Sequence, residues 1–334
     1  MIKLNRRDGM RISKIVTGLA MSAFVMGSIS GASAEPVKLK AAIYTGNSSS
    51  PFRTTFDAFV NHLNEGGEVQ VESVVGPEAV PSNQQARALA DGLVDIVAAP
   101  PSYFENLLPG LGGLSAPRIT TQEMRAKGAF EATNELLAPM NIKMVGLYAG
   151  DIPFYIFSNK PARTLEEFKG LRLRTTNTVK AFFEALEAQP LQIKRGEIYT
   201  ALERGVANGY ANINSELFTS SWIEVAKYRL GPGFYTPNIA IFMNLEKYNS
   251  LSDAQKAALD ESGVYVEGEP TAAMKAAEDA AIDKAVKENG FEVIELSDAE
   301  TKKFLDMAYN STWAEIEARA PEFSAKLKPI LLGE

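Results

Sequence analysis

The residues whose types and spacing could do chemistry in this chain are cationic. Phe168-Lys169-Gly170-Leu171-Arg172-Leu173-Arg174 puts Arg172 and Arg174 on one face of a short strand by its period of two, with Leu171 and Leu173 turned to a core. A guanidinium at the C-terminal end of a strand, where α/β folds place ligands, can meet both oxygens of a carboxylate. The alternative is a surface salt bridge to Glu166 or Glu167, and spacing alone leaves the two readings open. Lys194-Arg195-Gly196-Glu197 is a second basic segment between a strand and a helix, and taken alone it reads as an exposed turn. Asn208-Gly209-Tyr210-Ala211-Asn212 stops a helix at Asn-Gly and enters a short strand, near whose end Asn212 projects as a neutral hydrogen-bonding group.

Other chemistries are poorly supplied. The 334 residues contain no Cys and one His, which removes thiol nucleophiles, iron–sulfur clusters, Cys-type zinc sites and most His-based metal sites. His62 flanks the apolar stripe of a helix, and His62-x-x-Glu65 lacks a second His, so a packing role is expected. Gly110-Leu111-Gly112-Gly113 fails the G-x-G-x-x-G pattern, with Ser115 where the third glycine belongs, and reads as a flexible connector. There is no G-x-S-x-G elbow or P-loop, and no carboxylate spacing selects a glycosidase pair. A pI near 5.1 without a basic block argues against nucleic acid. No cofactor and no metal are expected.

The elements that must position these groups alternate between strand and helix. Leu39–Thr45, Val69–Val75 and Val94–Ala99 read as strands, with helices over Pro51–Asn64 and Gln84–Gly92 between them, a βαβαβ opening to an α/β fold. Further strands are expected at Ile142–Tyr148, Phe154–Ser158, Leu171–Thr175, Leu191–Ile193, Ile239–Asn244 and Phe291–Leu296. Thr120/Glu123, Thr164/Glu167, Ser252/Gln255 and Ser297/Glu300 have the spacing of capping boxes at helix starts. Helices are expected over Thr178–Ala188, over Ser252–Asn289 with an interruption at Pro270, and over Asp298–Ala318.

The first 34 residues read as an export signal: a basic start (Lys3, Arg6, Arg7, Arg11, Lys14), an apolar run Ile15–Met26 too short to span a membrane, and Ala32-Ser33-Ala34 as the cleavage site. Their removal takes the formal charge from −7 to −11, because they carry five bases and one acid. The expectation is a soluble acidic protein in the periplasm, cleaved after Ala34 and not membrane-spanning.

Read together, residues 165–245 resemble the periplasmic solute-binding proteins of TRAP (tripartite ATP-independent periplasmic) transporters, the DctP-like family. The resemblance rests on Leu165–Arg174 (LEEFKGLRLR), Gly196–Gly209 (GEIYTALERGVANG), Glu224–Tyr228 (EVAKY) and Tyr235–Asn244 (YTPNIAIFMN), with weaker similarity over nearly all of the chain after residue 34, including Ala90–Ala98. It implies a two-lobed α/β periplasmic-binding-protein-like fold, a ligand cleft between the lobes and a long connecting helix. Lobe I is expected over 35–151 plus 239–270, and lobe II over 152–238 plus 271–334. By the same resemblance Arg174 makes the salt bridge to a ligand carboxylate and Asn212 lines the cleft. Arg195 stands where many members have an aromatic and is expected as a second cation, which would favour a dianionic or acidic-headed ligand. Asn47, Ser102 and Tyr103 are expected at strand ends facing the cleft, with Trp222 and Tyr235 among its candidate apolar walls, though ordinary core packing is the stronger claim on each aromatic.

The function so implied is a receptor that closes on an organic acid, with a carboxylate and room for a second acidic group, and delivers it to the small and large TRAP membrane subunits. A periplasmic enzyme or a sensory receptor for a similar acid stand as alternatives.

Overall fold

Two sheets organise the chain in the computed structural model, which describes residues 35–334; the expected export signal and its cleavage site lie outside the described residues. The strands are β1 Val37–Ile43, β2 Val69–Val75, β3 Ile96–Ala99, β4 Ile142–Tyr148, β5 Phe154–Ser158, β6 Arg172–Thr175, β7 Gln189–Gln192, β8 Gly209–Asn212, β9 Tyr228–Phe234, β10 Ile239–Asn244 and β11 Glu292–Ile294. One sheet runs β2-β1-β3-β10-β4 and the other β11-β9-β5-β8-β6-β7. The chain passes from the first sheet to the second between Tyr148 and Phe154, and returns between Phe234 and Ile239. This is the two-lobed α/β fold.

The opening βαβαβ unit forms because its apolar spacing changes from two to 3.6 and back. Helix Pro51–Glu65 buries Phe52, Phe56, Phe59, Val60 and Leu63, each worth roughly 1.5–3 kcal/mol against exposure. Strand β10 is buried along all six residues, Ile239 to Asn244, because it lies antiparallel between β3 and β4. Gly263, on helix Asp253–Glu267, lets that helix lie directly on β4: an added Cβ would sit 2.1 Å from the Val145 carbonyl oxygen.

Helix Asp253–Glu267 starts at a complete Ser252/Gln255 capping box and ends before Gly268, and Pro270 opens helix Glu269–Asn289. That long helix joins the lobes. Near its start Met274 packs in the first core and accepts from the Thr55 hydroxyl, while farther along Ala285 packs with Phe157 and Phe291 beside the second sheet.

Several expectations change. Thr120/Glu123 forms a complete capping box, but Thr164 opens only a 3-10 turn, Leu165–Phe168, with no side-chain cap. The Glu167 carboxylate is drawn instead to the Arg163 backbone N–H. The Gly110–Gly113 segment is a buried 3-10 turn rather than a flexible connector, since Gly113 packs under Ile316, Phe323 and Trp313 and the Gly112 N–H donates to Glu105. Strand β9 has no counterpart among the expected strands. Its Gly231-Pro232-Gly233 looks like a turn in sequence, yet Pro232 lies past the last residue paired with β11, so its missing N–H costs nothing on that side. A last helix, Pro321–Leu332, follows Pro321 at its first position. Its Phe323, Leu327 and Leu331 join the first core, so the expected lobe II assignment through residue 334 does not describe this helix. No helix among the described residues is long and apolar enough to cross a membrane.

Candidate ligand-binding cleft

Strand alternation delivers Arg174. In β6, Leu173 is fully buried beneath the sheet, and Arg174 on the opposite face lines a cleft of about 1150 Å³ and a smaller inner chamber of about 60 Å³ that shares lining residues with it. Tyr44, Ser102, Tyr103, Arg174 and Arg195 line both spaces. The first lobe contributes Tyr44 after β1 and Ser102 and Tyr103 from the 3-10 turn Pro101–Phe104 after β3. The second lobe contributes Arg174, Arg195 and Asn212, so the walls come from the ends of strands in both sheets.

Arg174 donates through Nε to the Ile193 carbonyl at 2.9 Å, which fixes the plane of its guanidinium. Its two terminal nitrogens have no hydrogen-bond partner among the described residues, and it has no carboxylate partner there. Burial, and next among the depressing influences the charge of Arg195, push its pKa down to about 10. It is therefore charged at neutral pH. Neither Arg172 nor Arg174 pairs with Glu166 or Glu167. Arg172 is held at the start of β6, its backbone N–H donating to the Asn208 side chain at 3.0 Å, and it does not line the cleft.

Arg195 lines the cleft as well, but not as a free cation. Its Nη2 lies 2.5 Å from Glu216 Oε2, and its guanidinium stands 5.1 Å from the centroid of the Trp222 ring. Burial works against its charge, and Glu216 outweighs that, holding its pKa above the usual arginine range. Glu216 is fully buried behind it, accepting hydrogen bonds from Ser50 at 2.8 Å, Ser220 at 2.6 Å and Thr219 at 3.3 Å. The expectation of a second uncompensated cation is corrected by this pair.

Asn212, at the end of β8, is buried in the inner chamber with its Oδ1 accepting from the Ile213 N–H at 2.9 Å, which leaves its amide NH2 as the remaining donor. Asn47 lines the outer cleft and donates to the Thr219 carbonyl at 2.9 Å, a bond from the first lobe to the second. Trp222 lines the outer cleft, packed edge-on against Tyr210. Tyr235 is not in the cleft. At φ 47° its side chain turns into the second core, where its hydroxyl donates to the Ala308 carbonyl and meets Thr312. Phe234 is buried in the same core, and Phe218 packs below Lys284.

Sequence reasoning missed Tyr44, Glu216, Thr176 and Asn238. Tyr44 and Thr176 follow directly on strands, a placement that could have marked them. Nothing local marks Glu216, whose partner lies on another element. His62 has the expected packing role, its ring 4.1 Å from that of Tyr265 and its Nδ1 2.9 Å from Ser262.

Residues 43–319 match the sequence profile of the bacterial extracellular solute-binding proteins, family 7, DctP. The chain is 23% identical over 282 residues to the 2,3-diketo-L-gulonate-binding periplasmic protein YiaO of Escherichia coli, covering 81% of this chain and 85% of that protein. It is 25% identical over 280 residues to the C4-dicarboxylate-binding periplasmic protein DctP of Rhodobacter capsulatus, covering 81% and 79%. With another curated relative the match spans 52% of that protein's length. A TRAP periplasmic solute-binding protein from Desulfovibrio salexigens, crystallised with orotic acid, superposes with a TM-score of 0.75 at 19% identity, covering 88% of this chain and 97% of that one. With two lobes, a cleft walled by strand ends from both sheets, and a profile match over most of its length, the chain belongs to the bacterial extracellular solute-binding proteins, family 7.

Proposed function

We propose that this protein is the extracytoplasmic receptor of a TRAP-type secondary transporter, binding an organic acid between its lobes and delivering it to the small and large membrane subunits. The observation that carries this reading is Arg174: a buried guanidinium, without a carboxylate partner among the described residues, in a chamber walled by both lobes. A carboxylate taken from water is costly to bury unless it is paired and hydrogen-bonded, and the two terminal nitrogens of Arg174 can meet both of its oxygens. Asn212, Ser102 and Tyr103 stand around it as neutral polar groups, with Asn47 and Trp222 farther out. Export by the N-terminal segment with cleavage after Ala34 belongs to the same proposal. So does a lobe division at residues 152 and 239, with helix Pro321–Leu332 packed on lobe I.

Catalysis is not part of this reading. The relatives are binding proteins, and the cleft lines up hydrogen-bond donors without a nucleophile and its base. YiaO is named for a sugar acid, the Desulfovibrio protein holds orotic acid, and the Rhodobacter relative is named for C4-dicarboxylates. These names support an organic anion and leave its charge open.

The test is a thermal-shift screen of the protein from Glu35 onward against organic acids, beside Arg174→Ala. A ligand at ~100 times its Kd adds about 2.7 kcal/mol, a rise of several degrees. Loss of Arg174 costs about 2–5 kcal/mol of binding. A folded Arg174→Ala protein that binds every hit as well as the wild type would overturn the assignment.

A further inference from the structure

The charge on the cleft can be counted from its buried groups. Arg174 and Arg195 are the charged side chains that line the inner chamber. Arg195 is neutralised by Glu216 at 2.5 Å, and Glu216 is not free to leave. Ser50, Thr219 and Ser220 donate to it, and the turn that carries it is held from behind by Glu278 of helix Glu269–Asn289, which accepts from the backbone N–H groups of Asn214 and Ser215 at 2.5 and 3.1 Å. In the wider cleft Glu105 is bound in a fork by Arg319 at 3.1 and 3.2 Å, and Lys194 is exposed to solvent. Within the chamber this leaves one positive charge without a counterion, that of Arg174.

We propose that Glu216 sets the charge selectivity of this cleft: the site takes an organic acid with a single ionised group, seated on Arg174, whose neutral oxygen faces Arg195, and it rejects the corresponding diacid. The inference rests on the receptor reading above and deepens it. A second ligand carboxylate brought to Arg195 would share that guanidinium with a buried, immobile carboxylate of like charge, and water is too scarce there to screen the pair. A hydroxyl, carbonyl or amide oxygen at the same place accepts from Arg195 without that repulsion.

The experiment uses pairs of acids that differ in one ionised group: succinamate and succinate, glutaramate and glutarate, picolinate and pyridine-2,6-dicarboxylate. Affinities are measured by calorimetry at pH 7.5 on the wild type, Arg174→Ala, Glu216→Gln and the double variant Arg195→Gln/Glu216→Gln. In the wild type the monoacid of each pair that binds should be the tighter, by about 10-fold or more. Glu216→Gln, which keeps the shape and removes the charge, should bring the ratio to about one or reverse it. The double variant removes both charges and should return the preference to the monoacid.

A diacid bound by the wild type as tightly as its monoacid overturns the inference, and so does an unchanged ratio in folded Glu216→Gln. Neither touches the receptor reading so long as Arg174→Ala weakens binding. Failure of all six acids to bind the wild type, or full binding by Arg174→Ala, overturns the receptor reading and the inference with it. Should Glu216→Gln not fold, the wild-type ratio decides alone.

Discussion

The Ser50 hydroxyl, at the N-terminus of a first-lobe helix, donates at 2.8 Å to the Glu216 carboxylate of the second lobe, so the counterion of Arg195 is also a bond across the cleft. Asn47, three residues earlier, adds a second such bond to the Thr219 carbonyl. Both bonds draw the lobes together beside the chamber that holds Arg174.

Ser50→Ala should therefore weaken ligand binding although Ser50 does not line the chamber. A hydrogen bond is worth about 0.5–1.5 kcal/mol net, or roughly 2–12-fold in affinity. Calorimetry with any acid that binds the wild type checks this. An unchanged affinity would mean that the bond plays no part in closure.

Removing Glu216 altogether is a larger change. Glu216→Ala leaves Arg195 largely buried without its counterion and frees the Ser50, Thr219 and Ser220 hydroxyls. Breaking one side of a buried pair costs about 3–5 kcal/mol. Urea unfolding of Glu216→Ala, Arg195→Ala and the double variant should show the double variant losing less than the sum of the single losses.

Glu278 links stability to pH. Burial pushes its carboxyl above the ordinary value of 4.5, against the pull of Ser215 and Asn214. The native state then holds this proton more tightly than the unfolded chain does. Its contribution is complete below pH 4.5 and declines as pH rises from there through the folded-state value. The difference in unfolding free energy between wild type and Glu278→Gln, measured from pH 4 to 8, should fall across that interval and level off above it. A difference that rises with pH would refute the assignment.

Gly263→Ala tests the packing of helix Asp253–Glu267 on β4. The new methyl would stand 2.1 Å from the Val145 carbonyl oxygen, and backbone on both sides must move. Overpacking of this kind costs about 1–3 kcal/mol. A lowered Tm is expected, whereas Gly170→Ala, strained by φ +74° but with nothing within 4 Å of the added Cβ, should respond through that strain alone.

The sequence was most legible where a local pattern decides the outcome. Strand β4 and strand β5 have the bounds that their apolar runs predict, and Arg174 is found by the period of two because Leu173 must go into the core. It failed where local chemistry misleads. Gly231-Pro232-Gly233 signals a turn, yet β9 runs on through it as an irregular stretch, paired with β5 at Tyr228–Leu230 and again at Phe234, and neither neighbour strand asks for the missing N–H of Pro232. Tyr235 opens one of the segments that carry the family resemblance, but a positive φ and the carbonyl of Ala308 take it into the core.

Alternating apolar runs and caps were enough to determine the α/β class and the place of Arg174 on the strand face opposite Leu173, because each depends on residues close together in the chain, whereas the two lobes were implied only by the family resemblance. Whether Arg195 is a second open cation was decided only by tertiary structure. Its counterion lies 21 positions on, in a turn held by Ser50 from one lobe and Glu278 from the long helix, and charge neutralisation depends on separation in space, which spacing along the chain does not set.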